Sequence, residues 1–215
     1  MIKAVIFDMD GVIVDNGKFH KKAWREFVQE YGIKISQQKW DRKLFGRTNE
    51  FIMPYVFGKK FSKKELKKLA EEKELHYRKI YSKHIKPVKG LLKFLKELKK
   101  NKIKISIGTS APKSNVEFVL GKTKTRKFFE KIVDDSMVKK CKPNPEIYLT
   151  AAQKLSVKPK ECIVFEDSFS GIRAGNSAKM HVIGLTTSHK KSQLKNVKLA
   201  INDFTELKIK EILKW

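Results

Sequence analysis

Cysteine is scarce: Cys141 and Cys162 are the only two in 215 residues, which excludes a disulfide-dense secreted scaffold. No apolar run approaches the ~18–20 residues that a membrane-spanning helix needs, so no membrane association is expected. The opening Met1-Ile2-Lys3-Ala4-Val5-Ile6-Phe7-Asp8 turns acidic too early for a secretory leader, and the expected location is the cytoplasm. Acidic residues are few, 23 against 49 Lys and Arg, for a formal net charge of +26. Arginine is scarcer still: only Arg25, Arg42, Arg47, Arg78, Arg126 and Arg173. Base reading and bidentate phosphate contacts favour arginine over lysine. The lysines are spread along the chain, densest at 59–68, 93–104 and 122–127. In Leu91-Leu92-Lys93-Phe94-Leu95-Lys96-Glu97-Leu98 the apolar residues keep helical spacing, so those lysines read as the wet face of an amphipathic helix. Nucleic acid is therefore not the expected partner, and a basic nucleic-acid-binding module stays a remote alternative.

What is present suits a globular chain: 40% of residues are hydrophobic, enough to build a core. Residues 2–7 read as a short buried strand ending at Asp8, and Gly11 permits a sharp turn directly after it. Phe19, Ala23, Trp24, Phe27, Val28 and Tyr31 have helical period, and helical pattern continues at 37–44, 48–57 and 62–83. No strand of comparable strength lies between 15 and 86. After Pro87 and Gly90 and a helix at 91–100, strands at 103–108, 131–134, 161–166, 180–185 and 198–201 alternate with helices at 113–120, 144–155, 169–178 and 203–213. Such alternation predicts an α/β fold, a parallel sheet covered on both faces. The helical block is too long for a crossover, so it reads as an insertion: an α/β core domain over 1–14 and 87–215, and a small all-α cap domain over 15–86.

In open parallel sheets ligands sit at the carboxyl ends of the strands. The first strand ends in Asp8-Met9-Asp10-Gly11, the second in Thr109-Ser110, and the fourth in Glu166-Asp167; Cys141-Lys142-Pro143 lies past the third and opens a helix. Together these deliver carboxylates, hydroxyls and an ammonium to one edge. Carboxylates crowded together repel unless a cation sits among them. Hard oxygen ligands suit Mg²⁺, which keeps waters and takes a phosphate oxygen. Asp8, on a rigid strand end, can serve as nucleophile, forming an aspartyl-phosphate. Asp10, two residues on, can protonate the leaving alcohol and later activate water. Lys142 can neutralise the nucleophile and the phosphoryl group, while the Thr109 hydroxyl and the Ser110 N–H can hold non-bridging oxygens.

Asp8-Met9-Asp10-Gly11-Val12, Thr109-Ser110, Lys142-Pro143 and Glu166-Asp167-Ser168-x-x-Gly171-Ile172 resemble, in order, the four motifs of the haloacid dehalogenase superfamily. The wider text, including Val14-Asp15, His20, Ala23-Trp24 and Pro145, is similar to its β-phosphoglucomutase-like branch. The resemblance spans essentially the whole chain and implies a Rossmann-like core with a helical cap inserted after the first strand. Dehalogenases of the superfamily lack the second Asp, and transport ATPases carry Thr there, so Asp10 points to phosphate esters. The resemblance further implies Mg²⁺ held by the Asp8 carboxylate, the Asp10 backbone carbonyl and Asp167, with Glu166 a direct or water-mediated partner. It implies a cap that closes over the substrate and reads its non-reacting end, with His20, Arg47 in Gly46-Arg47-Thr48-Asn49, and Lys73 as candidates. Each has a plainer reading, as a packing histidine, a surface arginine at a helix start and one lysine among many. Two positions depart from the mutases: Asn16 stands where they carry Thr, and Arg47 follows Gly46 directly where their motif resembles Gly-x-Ser-Arg.

The expected function is a Mg²⁺-dependent phosphatase of a small phosphorylated metabolite, with a sugar phosphomutase of the β-phosphoglucomutase type as the alternative. A monomer is expected. Cys141 and Cys162 read as packing residues, Trp40 and Trp215 as partly exposed, and the remaining histidines have no zinc-ligand spacing.

Overall fold

The computed structural model describes residues 1–44 and 47–215. The chain divides into two compact units, Met1–Asp15 with Ile85–Trp215, and Asn16–His84.

The first unit is built on a parallel sheet of β1 (Ala4–Phe7), β2 (Lys104–Gly108), β3 (Lys131–Val133), β4 (Cys162–Glu166), β5 (His181–Leu185) and β6 (Leu199–Ile201), in the order β3-β2-β1-β4-β5-β6. β1 is central, with Phe7 in register with Ile107 on one side and Phe165 on the other. Central strands buried on both faces read as continuous apolar runs, as Ala-Val-Ile-Phe does. On one face, Ala4, Ile6, Cys162, Val164 and Val182 pack with Ile147, Tyr148 and Ala151 of α7 (Glu146–Lys154) and Ile172 and Ala174 of α8 (Phe169–Ser177). On the other, the Phe7 and Phe165 rings stack at 5.1 Å, and Phe94 of α5 (Leu91–Lys100) meets both edge-on; α6 (Lys113–Thr123) connects β2 to β3. The expected α/β fold is the one observed.

The second unit is helical: α1 (Gly17–Gln29), α2 (Gln37–Lys39), α3 (Asn49–Phe57) and α4 (Lys63–Tyr81). Trp24, Phe27 and Val28 of α1 pack with Ile52 and Met53 of α3 and with Trp40 and Leu44. α4 opens on a reciprocal cap: the Ser62 hydroxyl oxygen accepts from the Glu65 N–H, and the Ser62 N–H donates to the Glu65 carboxylate at 2.7 Å.

Three local expectations need correction. Trp40 is 3% exposed, drawn into the apolar cluster of its unit. Cys141 is exposed, because it stands in an irregular turn before α7 rather than inside a strand or helix; Cys162 is buried in β4. The helix expected over 203–213 is broken into a turn at Phe204–Glu206 and the short α9 (Ile209–Ile212), since the Asp203 carboxylate accepts from the Thr205 N–H and the chain is extended at Leu207.

Candidate active site

The sheet order reverses direction across the β1–β4 boundary, and the loops beyond those two strand ends carry most of the titratable groups of interest. Asp8 follows β1 with its N–H bonded to the Phe165 carbonyl at 3.0 Å, so the nucleophile candidate is tied to the neighbouring strand by its own backbone. Glu166 ends β4, and Asp167 follows it. Carboxylate oxygens of Asp8, Glu166 and Asp167 lie within 4.8 Å of one another, and all three residues are buried.

Lys142 comes from the loop before α7. Its ammonium donates to Asp8 Oδ1 at 2.6 Å and to Glu166 Oε1 at 2.8 Å, above the Tyr148 ring. Burial alone would lower the Lys142 pKa; the two carboxylates outweigh it and hold it up. For Glu166 burial raises, while Lys142, the Tyr148 hydroxyl and the Ser168 N–H lower, for a net downward shift. Asp8 is pushed up to about 7, by burial first and against the pull of Lys142, with the Glu166 and Asp10 charges adding to the rise. Asp167 rises well above its ordinary value for the same reasons, burial and then the Glu166 and Asp8 charges. Ionised together, three buried carboxylates exceed the one ammonium in charge, and the upward shifts of Asp8 and Asp167 reflect that crowding. That all-oxygen donor set fits a hard divalent cation such as Mg²⁺.

Two glycines make room for these carboxylates. Gly11 has φ +78°, and a Cβ there would lie 1.9 Å from Asp167 Oδ2. At Gly171 a Cβ would lie 1.6 Å from Glu166 Oε1. Asp10 stands half-buried in the turn after β1, immediately before Gly11 and near enough for its charge to raise Asp8.

At the end of β2, Thr109 is buried and its hydroxyl oxygen accepts from the Ala111 N–H at 3.1 Å, while Ser110 is exposed. The Thr109 hydroxyl hydrogen is thus the part available to an incoming acceptor.

The structure therefore gathers Asp8, Lys142, Glu166 and Asp167 around one point, with Asp10 in the adjoining turn. The three remaining candidates belong to the helical unit. Lys73 is buried on α4, with its ammonium 2.6 Å from Glu74 Oε1, 3.4 Å from His20 Nδ1 and over the Trp24 ring. His20 stacks on Tyr77 at 3.8 Å. Arg47 is exposed, its guanidinium 4.8 Å from the Phe51 ring centre; Gly46 lies outside the described residues. Asn16, singled out as a departure, is buried and donates to the Tyr77 hydroxyl at 2.7 Å.

Sequence reasoning missed three contributors. The buried Tyr148 hydroxyl donates to Glu166 Oε1 at 2.7 Å, but its spacing with Ile147 and Ala151 reads only as core. Thr187 and Ser188, after β5, reach the Gly11 carbonyl and the Asp167 carboxylate. The strand-end rule applied to that fifth strand points to them.

Residues 5–185 match the family model of the haloacid dehalogenase-like hydrolases. The chain is 32% identical over 177 residues to a phosphorylated carbohydrates phosphatase of Thermotoga maritima, covering 82% of each chain. It is 34% identical to the β-phosphoglucomutase of Bacillus subtilis over 86% of this chain and 83% of that one. Among solved structures, a family IA, variant 3 haloacid dehalogenase hydrolase from Entamoeba histolytica superposes with a TM-score of 0.93 at 34% identity, over 99% of this chain and 98% of that one.

Proposed function

Because this chain belongs to the haloacid dehalogenase-like hydrolases, we propose that it is a Mg²⁺-dependent phosphatase of a small phosphorylated metabolite, a sugar phosphate, working through an aspartyl-phosphate. The observation that carries this reading is the Asp8 carboxylate, fixed at the end of β1 and held by Lys142 at 2.6 Å beside Glu166 and Asp167. The phosphatase and mutase relatives supply the substrate class.

A carboxylate oxygen of Asp8 attacks the phosphorus of the monoester. The bond to the leaving oxygen breaks, and the Asp10 carboxyl gives that oxygen its proton. Asp10, now a carboxylate, takes a proton from water as the water oxygen attacks the aspartyl-phosphate; phosphate leaves and Asp8 is restored. Lys142 keeps its proton throughout and offsets charge on Asp8 and the phosphoryl oxygens. The Thr109 hydroxyl and the Ser110 N–H hold non-bridging oxygens. Asp8, Asp167 and the Asp10 carbonyl would hold Mg²⁺, with Glu166 supporting; the ion neutralises phosphoryl charge when bound. Arg47, His20 and Lys73 are the residues of the helical unit assigned to the substrate's non-reacting end.

Identity to the Bacillus subtilis β-phosphoglucomutase favours a second reading, a sugar phosphomutase. The two differ only in whether water or a sugar hydroxyl attacks the phosphorylated Asp8. A barrier difference of ~1.4 kcal/mol shifts that partition tenfold.

Purified protein with Mg²⁺ and a panel of phosphorylated metabolites separates them. The panel includes β-glucose 1-phosphate with and without its 1,6-bisphosphate, following both phosphate and glucose 6-phosphate. Phosphate release that falls at least about a thousandfold in Asp8→Asn is the expected result. Full activity in that variant removes Asp8 from the nucleophile role, and bisphosphate-dependent isomerisation with little release selects the mutase.

A further inference from the structure

The loop after β5 makes a contact at each of four consecutive residues. Thr186 bonds through its N–H to the Ile201 carbonyl at 3.0 Å and through its hydroxyl to Asn202 at 2.8 Å, anchoring the loop beside β6. The Thr187 hydroxyl donates to the Gly11 carbonyl at 2.6 Å. The Ser188 hydroxyl donates to Asp167 Oδ2. The His189 ring stacks on Phe169, the first residue of α8, at 3.8 Å. Gly11 abuts that same Asp167 oxygen, so the carboxylate is bounded by Gly11 and by Ser188.

An aspartate carboxylate rotates broadly about its terminal bond. A hydroxyl donating to one oxygen removes that freedom, provided the hydroxyl is itself anchored. Residues 186, 187 and 189 supply the anchoring, to β6, to the β1 loop and to α8. We propose that Ser188, held by this loop, is a positioning residue that sets the Asp167 carboxylate for a divalent cation. Ser188 touches neither substrate nor phosphoryl group in this scheme; it acts through Asp167. Hydroxyls that orient metal-binding carboxylates carry a large part of the affinity, typically 10–100-fold. The inference rests on the Mg²⁺ reading above and adds to it a contributor outside the four motifs.

The test is Mg²⁺ binding measured by calorimetry on wild type, Ser188→Ala, Ser188→Thr and Asp167→Asn, with the thermal midpoint of each recorded. Wild type binds, Asp167→Asn does not, Ser188→Ala binds about tenfold more weakly at an unchanged midpoint, and Ser188→Thr recovers most of the loss. Equal Mg²⁺ affinity in wild type and Ser188→Ala overturns the positioning role while leaving the Mg²⁺ reading standing. Absence of binding in wild type overturns that reading and the inference with it.

Discussion

Glu166 is the side chain around which the core site is assembled. It is fully buried, and its two oxygens accept from Lys142, Tyr148, the Asp167 and Ser168 N–H groups and the Ser168 hydroxyl. A buried charge so completely paired is held firmly, and breaking its pairs is costly. Gly171 is therefore a strict requirement. Its added Cβ would meet Glu166 Oε1 at 1.6 Å, and the five donors prevent the carboxylate from retreating. Gly171→Ala should destabilise by about 1–3 kcal/mol and sharply reduce turnover, read by denaturant unfolding and the phosphatase assay. An unchanged midpoint with full activity would mean that the Glu166 network is loose.

At the scale of elements, β1 and β4 are joined by backbone register and by the stacked rings of Phe7 and Phe165, the residues immediately before Asp8 and Glu166. This packing keeps two strand ends rigid enough to present carboxylates at fixed separation. α4 depends on its ends as well as its packed face. Its first turn is closed by the Ser62–Glu65 cap, and the helix carries buried Lys73, Glu74, Tyr77 and Tyr81. Ser62→Ala should cost about 1 kcal/mol, measured as a drop in the unfolding midpoint. No change there would assign the helix start to packing alone.

Across the whole molecule, positive charge dominates at +26, yet two buried sites depend on carboxylates. No helix among the described residues is long and apolar enough to cross a membrane. In the helical unit, burial alone would raise Glu74, but Lys73, His20 and the Asn49 amide outweigh it and hold the carboxyl at about 2. A carboxyl held below its unfolded value stabilises the fold at pH above that unfolded value. The contribution is lost as pH falls from about 4.5 toward about 2. Glu74→Gln should therefore be less stable than wild type at pH 6, by about 3–5 kcal/mol because Lys73 is left buried and unpaired. The gap should narrow steadily as both proteins are unfolded at lower pH. A pH-independent gap would show that Glu74 acts through packing.

The sequence by itself determined the α/β class, because strand and helix periods are local properties and their alternation admits few topologies. It also determined which strand ends carry reactive groups, since Asp8, Thr109, Glu166 and Asp167 stand where apolar runs stop, with Lys142 in the loop that opens the helix after the third strand. Tertiary structure alone decided which of these meet. Lys142 and Asp8 are 134 residues apart and meet at 2.6 Å, a distance set by the order of strands rather than by any spacing. The same holds for Tyr148 and Ser188, whose local text reads as core helix and polar loop. A hydroxyl's partner is a matter of ångströms and orientation, fixed only when distant segments pack, and no pattern along the chain encodes it.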